Sequence, residues 1–262
     1  MEISRQAFYK SRYNRADKSL EEEVIVELVN NIRYKLPRLG GRKLYYLLKE
    51  ELSKLPSDLG RDKFFEILRN NELLIHPVKQ YTITTNSHHR FKIYSNLIKD
   101  KDIDRSNKVF ASDITYIRLK GEFCYLFLVT DVYSRKIVGH SLRMNLSTDG
   151  AMEAMKMALR KINSTDGLIH HSDRGFQYCS DSYVKLLQDN NIQISMGEAG
   201  NPYDNAIAER VNGILKNEFY LNAAFNNYQD ALNATSEAIK SYNYLRPHMS
   251  IGYMTPGNKY AA

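Results

Sequence analysis

Three carboxylates stand out by their surroundings. Asp113 lies inside a β-rich run, Asp173 follows a short apolar stretch in the polar turn His-Ser-Asp-Arg-Gly, and Glu209 sits one turn into a later helical stretch. Taken singly, two have ordinary readings. Asp113, near Ser112 and Thr115, reads as a strand-end hydrogen bonder, and Glu209, beside Arg210, as half of a surface helix pair. Asp173 is harder to dismiss, because an apolar strand runs straight into a polar turn that ends at Gly175. Brought together, three carboxylates repel and raise one another's pKa unless a cation sits among them, so the set points to bound metal. Mg²⁺ suits such a site because it takes a few carboxylate oxygens and keeps positions open for water and substrate phosphate. Two such ions, roughly 3.5–4 Å apart, serve an in-line phosphoryl displacement.

The elements that must position these acids follow from periodicity. Val109–Leu119, Phe123–Asp131 and Lys136–Arg143 alternate like strands and are separated by short turns, which predicts an antiparallel meander. Ser147 or Thr148 caps a helix to Lys161, with Ala151, Met155, Ala158, Leu159 and Ile162 inward. Then come a strand at 168–171, a helix at 180–189, a strand at 192–195, a helix from about Asp204 to Tyr220, and a last helix from Tyr228 to about Leu245. The order βββαβαβα predicts an α/β, ribonuclease-H-like fold: a mixed five-stranded sheet flanked by helices. There the first strand is central and the fourth ends alongside it, so Asp113 and Asp173 meet at the sheet while the late helix brings Glu209.

Charge divides the 262 residues unevenly. The chain carries +7, of which residues 1–106 hold +6 and residues 107–262 only +1. A basic front of this kind suits a polyanionic partner such as DNA. Ser4 is expected to cap a short helix to Lys10, and Ser19 to open another, with Glu22 completing a capping box and Val24, Ile25, Leu28, Val29 and Ile32 at helical spacing. Pro37 ends it, and Leu44, Tyr45, Leu47 and Leu48 mark a second. A third runs from about Asp58 to Asn70, with Arg61, Lys63 and Arg69 outside. A small all-α, helix-turn-helix-like DNA-binding unit is one reading, and a helical bundle with a solvated charged face is the other. From Leu73 to Ile98 there is no acid, while Lys79, Arg90 and Lys92 alternate with Tyr81, Phe91 and Tyr94, as in a linker lying along phosphates. The adjacent His88 and His89 have no nearby Cys or carboxylate, which argues against a metal site there. The expected divisions are 1–72 helical, 73–106 linker, 107–225 catalytic core, and 226–262 a C-terminal helix and tail packed on the core.

Other classes are excluded or disfavoured. The apolar runs are far too short to span a bilayer, and the first residues lack the layout of a signal peptide, so a cytoplasmic protein is expected. Cys124 and Cys179 read as reduced, buried thiols.

The strings Asp-Ile-Thr-Tyr-Ile (113–117), His-Ser-Asp-Arg-Gly (171–175), Gly-Asn-Pro-Tyr-Asp-Asn-Ala (200–206) with Ala-Glu-Arg (208–210), Tyr-Asn (242–243) and Arg-Pro-His (246–248) carry a resemblance. The chain resembles the second-reading-frame transposases of the bacterial insertion-sequence family designated by the number three, whose catalytic core is like that of retroviral integrases. The 35 residues between Asp173 and Glu209 match that family's Asp-Asp-Glu spacing, and Lys216, on the same helix face as Glu209, matches its usual basic residue. One departure is Phe110, where the family often has Trp; it keeps an aromatic body.

The resemblance implies that Asp113, Asp173 and Glu209 are catalytic and hold two Mg²⁺ ions, Mn²⁺ substituting. It implies nicking of element ends and joining of the 3′-hydroxyl to DNA, with no covalent enzyme intermediate. Lys216 is expected on donor-end DNA, and Arg174, Arg210 and Asn205 are expected to position phosphates or support the acids. Arg61, Lys63, Lys79, Arg90 and Lys92 complete the expected DNA contacts. The implied partners are the element's terminal inverted repeats and target DNA, bound by a homo-oligomer that is nucleoid-associated and independent of membranes. The alternative is a non-catalytic DNA-binding regulator of a longer frameshifted fusion enzyme. A ribonuclease-H-type nuclease shares the acids but explains neither the basic front nor the strings.

Overall fold

A computed structural model describes residues 5–57, 59–76, 90–99, 101–198 and 205–262, the side chains of residues 5–19 excepted. The chain forms two compact units, Met1–Val78 and Lys79–Ala262.

The first unit contains α1 (Arg5–Lys35), α2 (Gly41–Leu47), α3 (Lys49–Leu52) and α4 (Arg61–Asn70). The expected break before Ser19 does not occur, and one helix of 31 residues runs through it. No Gly or Pro interrupts residues 5–35, so nothing makes the chain leave the helix where Ser19 would cap it. The expected second helix is divided at Leu48, and the third starts after Gly60 rather than near Asp58. Ile25 and Val29 of α1, Leu44 of α2, and Phe64 and Leu68 of α4 are wholly buried together with Leu39. The Arg33 guanidinium closes this core by donating to the carbonyls of Leu39 and Leu73, at 3.2 and 2.8 Å.

The second unit is built on β1 (Val109–Leu119), β2 (Phe123–Asp131), β3 (Ile137–Arg143), β4 (Ile169–Ser172), β5 (Gln193–Met196) and β6 (Ala224–Phe225). The sheet order is β3-β2-β1-β4-β5, with β6 pairing β1. The meander is antiparallel, while β4 runs parallel to both β1 and β5. Among the described residues the sheet has six strands, one more than expected. Its parallel partner β4 covers only Val109 to Ser112 of the eleven-residue β1, which leaves Arg118 and Leu119 free to take β6.

Helices α5 (Thr148–Leu159), α6 (Phe176–Cys179) and α7 (Asp181–Asp189) bury one face against Phe110, Phe127 and Val129. Helices α8 (Ala206–Glu218) and α9 (Tyr228–Tyr244) bury the other against Ile117, Leu126 and Leu128. Alternate residues of β2 thus serve opposite cores, which is why that strand reads as a continuous apolar run. A 3₁₀ turn (Met249–Ile251) and α10 (Pro256–Ala261) close the chain. Cys124 and Cys179 are buried free thiols. Among the described residues no helix is long and apolar enough to cross a membrane.

Candidate active site

The parallel ladder between β1 and β4 ends at the pair Ser112–Ser172. Asp113 and Asp173 are each the next residue along, so both leave the ladder where the two strands part. Beyond that point the β4 chain turns: Asp173 Oδ1 accepts the Gly175 amide at 3.0 Å, and Gly175 begins α6. A Cβ at Gly175 would come within 3.0 Å of that same oxygen, so the turn holds the carboxylate closely.

Helix α8 is tied to this point from below. Asn205, its buried N-cap, donates from Nδ2 to the Ser112 carbonyl at 3.2 Å. Asn212, 7% exposed, donates to Asp113 Oδ2 at 2.6 Å. Glu209, Asn212 and Lys216 lie three and four residues apart, on one face of α8. Ser112 is braced from behind, because its hydroxyl meets His170 Nε2 at 2.9 Å and the Tyr183 hydroxyl lies 3.0 Å from the same nitrogen.

The electrostatics bear on all three acids. Burial, then the charge of Asp173, pushes the Asp113 carboxyl up to about 7; the Ile114 amide and Asn212 oppose the rise, and Glu209 adds to it. Glu209, exposed at the head of α8, is raised by desolvation and by Asp173. Half-buried Lys216 has its ammonium pKa lowered by burial and by Arg118, with Asp113 pulling the other way. The three acids and Lys216 therefore act on one another, although among the described residues no three His, Cys, Asp or Glu side chains converge enough to enclose an ion as they stand. The segment 199–204, which leads into α8, lies outside the described residues.

The donor set nonetheless fits a hard divalent cation. Its groups are carboxylate oxygens, and Asp113 is driven toward protonation by burial and then by a neighbouring charge of its own sign, the part that a cation relieves. Asn212 Oδ1 and Asn205 Oδ1 are buried without hydrogen-bond partners among the described residues, two further oxygens beside the acids.

The remaining expected site residues are spread widely. Arg174 is half-buried and donates from Nε to the Gly197 carbonyl at 2.9 Å, while Arg210 is exposed on α8. Arg61 and Lys63 are exposed on α4 and paired with Asp62 and Glu66, at 3.0 and 3.1 Å. Arg90 and Lys92 are exposed, Lys92 with its ammonium 5.1 Å from the centre of the Tyr94 ring. Lys79, His88 and His89 lie outside the described residues. Sequence reasoning missed Asn212, His170 and Tyr183. The spacing of Asn212 from Glu209 on one helix face was an available signal for the first; nothing local marks the other two.

Two family models, both described as integrase core domain, match residues 104–202 and 190–256. The insertion element IS600 31 kDa protein of Shigella sonnei is 30% identical over 259 residues, covering 97% of this chain and 93% of that protein. The chain belongs to the insertion-sequence transposases with an integrase core. Within that family, the IS904 transposase of Lactococcus lactis is 37% identical over 151 residues, 57% of this chain and 60% of that protein. Among solved structures, the simian T-cell lymphotropic virus intasome superimposes with a TM-score of 0.51 at 18% identity, over 86% of this chain and 72% of that one. The first integrase-core match contains Asp113 and Asp173. The second contains Glu209, Lys216 and the Tyr242–His248 run.

That run braces the transposase core. Asn243 receives the Ile137 amide at 2.9 Å and donates to the Ile137 carbonyl at 3.0 Å, completing the edge of β3 as a strand would. Tyr242 donates to the Arg135 carbonyl at 2.9 Å. Arg246 grips Glu218, the last residue of α8.

Proposed function

We propose that this chain is a Mg²⁺-dependent DNA transposase that nicks the ends of its element and joins the 3′-hydroxyl to target DNA, with Asp113, Asp173 and Glu209 as the metal-holding acids. The reading is carried by one observation: Asp113 and Asp173 emerge side by side where β1 and β4 part, and the pKa of Asp113 registers the charge of both other acids. Family membership supports transposition by an integrase-like core. It does not favour a non-catalytic regulator, and a regulator has no use for mutually repelling acids.

The chain's own residues then have assigned work. Asn212 orients Asp113 through Oδ2, and the Gly175 amide fixes Asp173 through Oδ1. Glu209, at the exposed head of α8, supplies the third carboxylate. Lys216 presents a positive charge beside Asp113, where a substrate phosphate approaches. Two Mg²⁺ ions, or Mn²⁺ in their place, supply Lewis-acid activation of the attacking hydroxyl and charge neutralisation at the leaving 3′ oxygen when bound. The α1–α4 unit, Arg90 and Lys92 add backbone contacts to DNA, and several copies of the chain assemble on it.

Asp113→Asn and Asp173→Asn test the reading. Each is expected to abolish Mg²⁺-dependent joining of a labelled element end in a strand-transfer assay while retaining end binding. Equal joining by the parent and either variant overturns the assignment.

A further inference from the structure

A second basic feature of the core lies away from the acids. A cavity of about 410 Å³ is lined by Lys101, Arg135 and Lys259, with Tyr133 and Ser250 adding hydroxyls and Ile207 part of an apolar wall. Among the described residues no acid lines it, and no ion pair joins these three cations to a carboxylate. Asp131, at the base of the same turn, is fully buried. Its carboxylate is engaged by the Asn107 amide at 2.8 Å and by the amide and hydroxyl of Ser134 at 2.7 and 2.5 Å.

Two of the three cations are held in place, and Lys101 is exposed at the rim. Lys259 donates to the Tyr133 hydroxyl at 2.6 Å and sits 4.2 Å from the centre of that ring. The Arg135 guanidinium donates to the Val132 carbonyl. Arg135 itself has φ +67°, a left-handed conformation that Gly or Asn adopts at less cost. The β2–β3 turn thus accepts strain with an arginine at the cavity wall. The buried carboxylate of Asp131 acts on Arg135 from within, whereas Lys101 and Lys259 have no carboxylate partner among the described residues, so an anion from outside stabilises the group.

We propose that this cavity binds a backbone phosphate of duplex DNA, at a place separate from the Asp113–Asp173–Glu209 site. The proposal rests on the DNA-transposase reading. Arginine and lysine with flanking hydroxyls form the usual donor set for phosphodiester oxygens. The cavity is far larger than one phosphate ion, and its apolar wall suits the sugars that flank a phosphodiester. Ile207 and Glu209 are two residues apart on α8, hence about 160° apart around it. The cavity therefore faces round the helix from the acids, where it holds duplex beyond the reacting strand.

The test uses the full chain and a labelled duplex of mixed sequence, with binding measured across a salt series. The double variant Lys101→Gln/Lys259→Gln is expected to bind about tenfold more weakly at moderate salt and to lose about 1 from the slope of log affinity against log salt, the value for one phosphate contact. Lys101→Arg/Lys259→Arg is expected to keep the parent slope. An unchanged slope in the Gln variant overturns the site while leaving the DNA reading intact, and a slope lost equally in the Arg variant shows packing rather than charge and overturns it too. A parent that binds no duplex overturns both. If titrated inorganic phosphate raises the melting temperature of the parent but not of the Gln variant while both give the same DNA slope, the ligand is a free anion and the DNA assignment falls.

Discussion

Arg246 and Glu218 form a two-pronged ion pair, 2.8 Å from Nε and 2.7 Å from Nη2, that joins the end of α9 to the end of α8. Arg246 is 1% exposed and Glu218 19%, so solvent screens the pair little. Arg246→Ala strands a half-buried carboxylate and is expected to cost about 3–5 kcal/mol. Arg246→Lys keeps the charge but loses the fork, and is expected to fall between. Urea unfolding measures both, and a loss below 1 kcal/mol in the Ala variant would show that the pair does not hold α8.

His170 makes stability depend on pH. Burial, and secondarily the charge of His171, push its pKa down to about 3, against about 6.5 in an unfolded chain. Between those values the unfolded chain takes up a proton that the native state refuses. The contribution is therefore complete above about pH 6.5 and is lost as pH falls toward 3. Between pH 7 and pH 5 the loss due to this residue is about 2 kcal/mol. His170→Gln should unfold with a shallower acid dependence, and parallel curves for parent and variant refute the account.

Gly139 and Gly213 are expected to respond oppositely to alanine. A Cβ at Gly139 would stand 2.0 Å from the Ala154 carbonyl oxygen, where β3 presses on α5. That is backbone against backbone, so Gly139→Ala should cost about 3 kcal/mol or prevent folding. At Gly213, inside α8, a Cβ meets nothing within 4 Å, and alanine should add about 0.5–1 kcal/mol by helix propensity. Thermal melts of the two variants give the comparison directly.

Much of the core was legible in the chain. The strands read as Val109–Leu119 and Phe123–Asp131 were found with the same limits, and the third began one residue later. These succeeded because a sheet buried on both faces leaves local apolar runs punctuated by turns. The continuous α1 was missed because a capping box marks a helix start only if the chain ahead of it leaves the helix. The two-residue β6 was missed because its reason for existing is the vacant end of β1, not its own sequence. The acids were singled out by motif and spacing, and Asn205 was expected near them as a support. Its bond to the Ser112 carbonyl, which holds α8 to β1, came only from the structure.

The amino-acid sequence by itself determined which three acids to consider, the order of strands and helices that carries them, and the uneven placement of charge. These rest on patterns within a strand, a helix or a short string. Only the tertiary structure decided that Asp113 is buried and raised by the charges of Asp173 and Glu209, that Asn212 orients it, that Glu218 anchors α8 to Arg246, and that three cations line one cavity. Those partners are brought together across 99 residues for Asn212 and Asp113, and 28 for Arg246 and Glu218. Desolvation and Coulomb coupling depend on distance through space, which no local pattern of residues records.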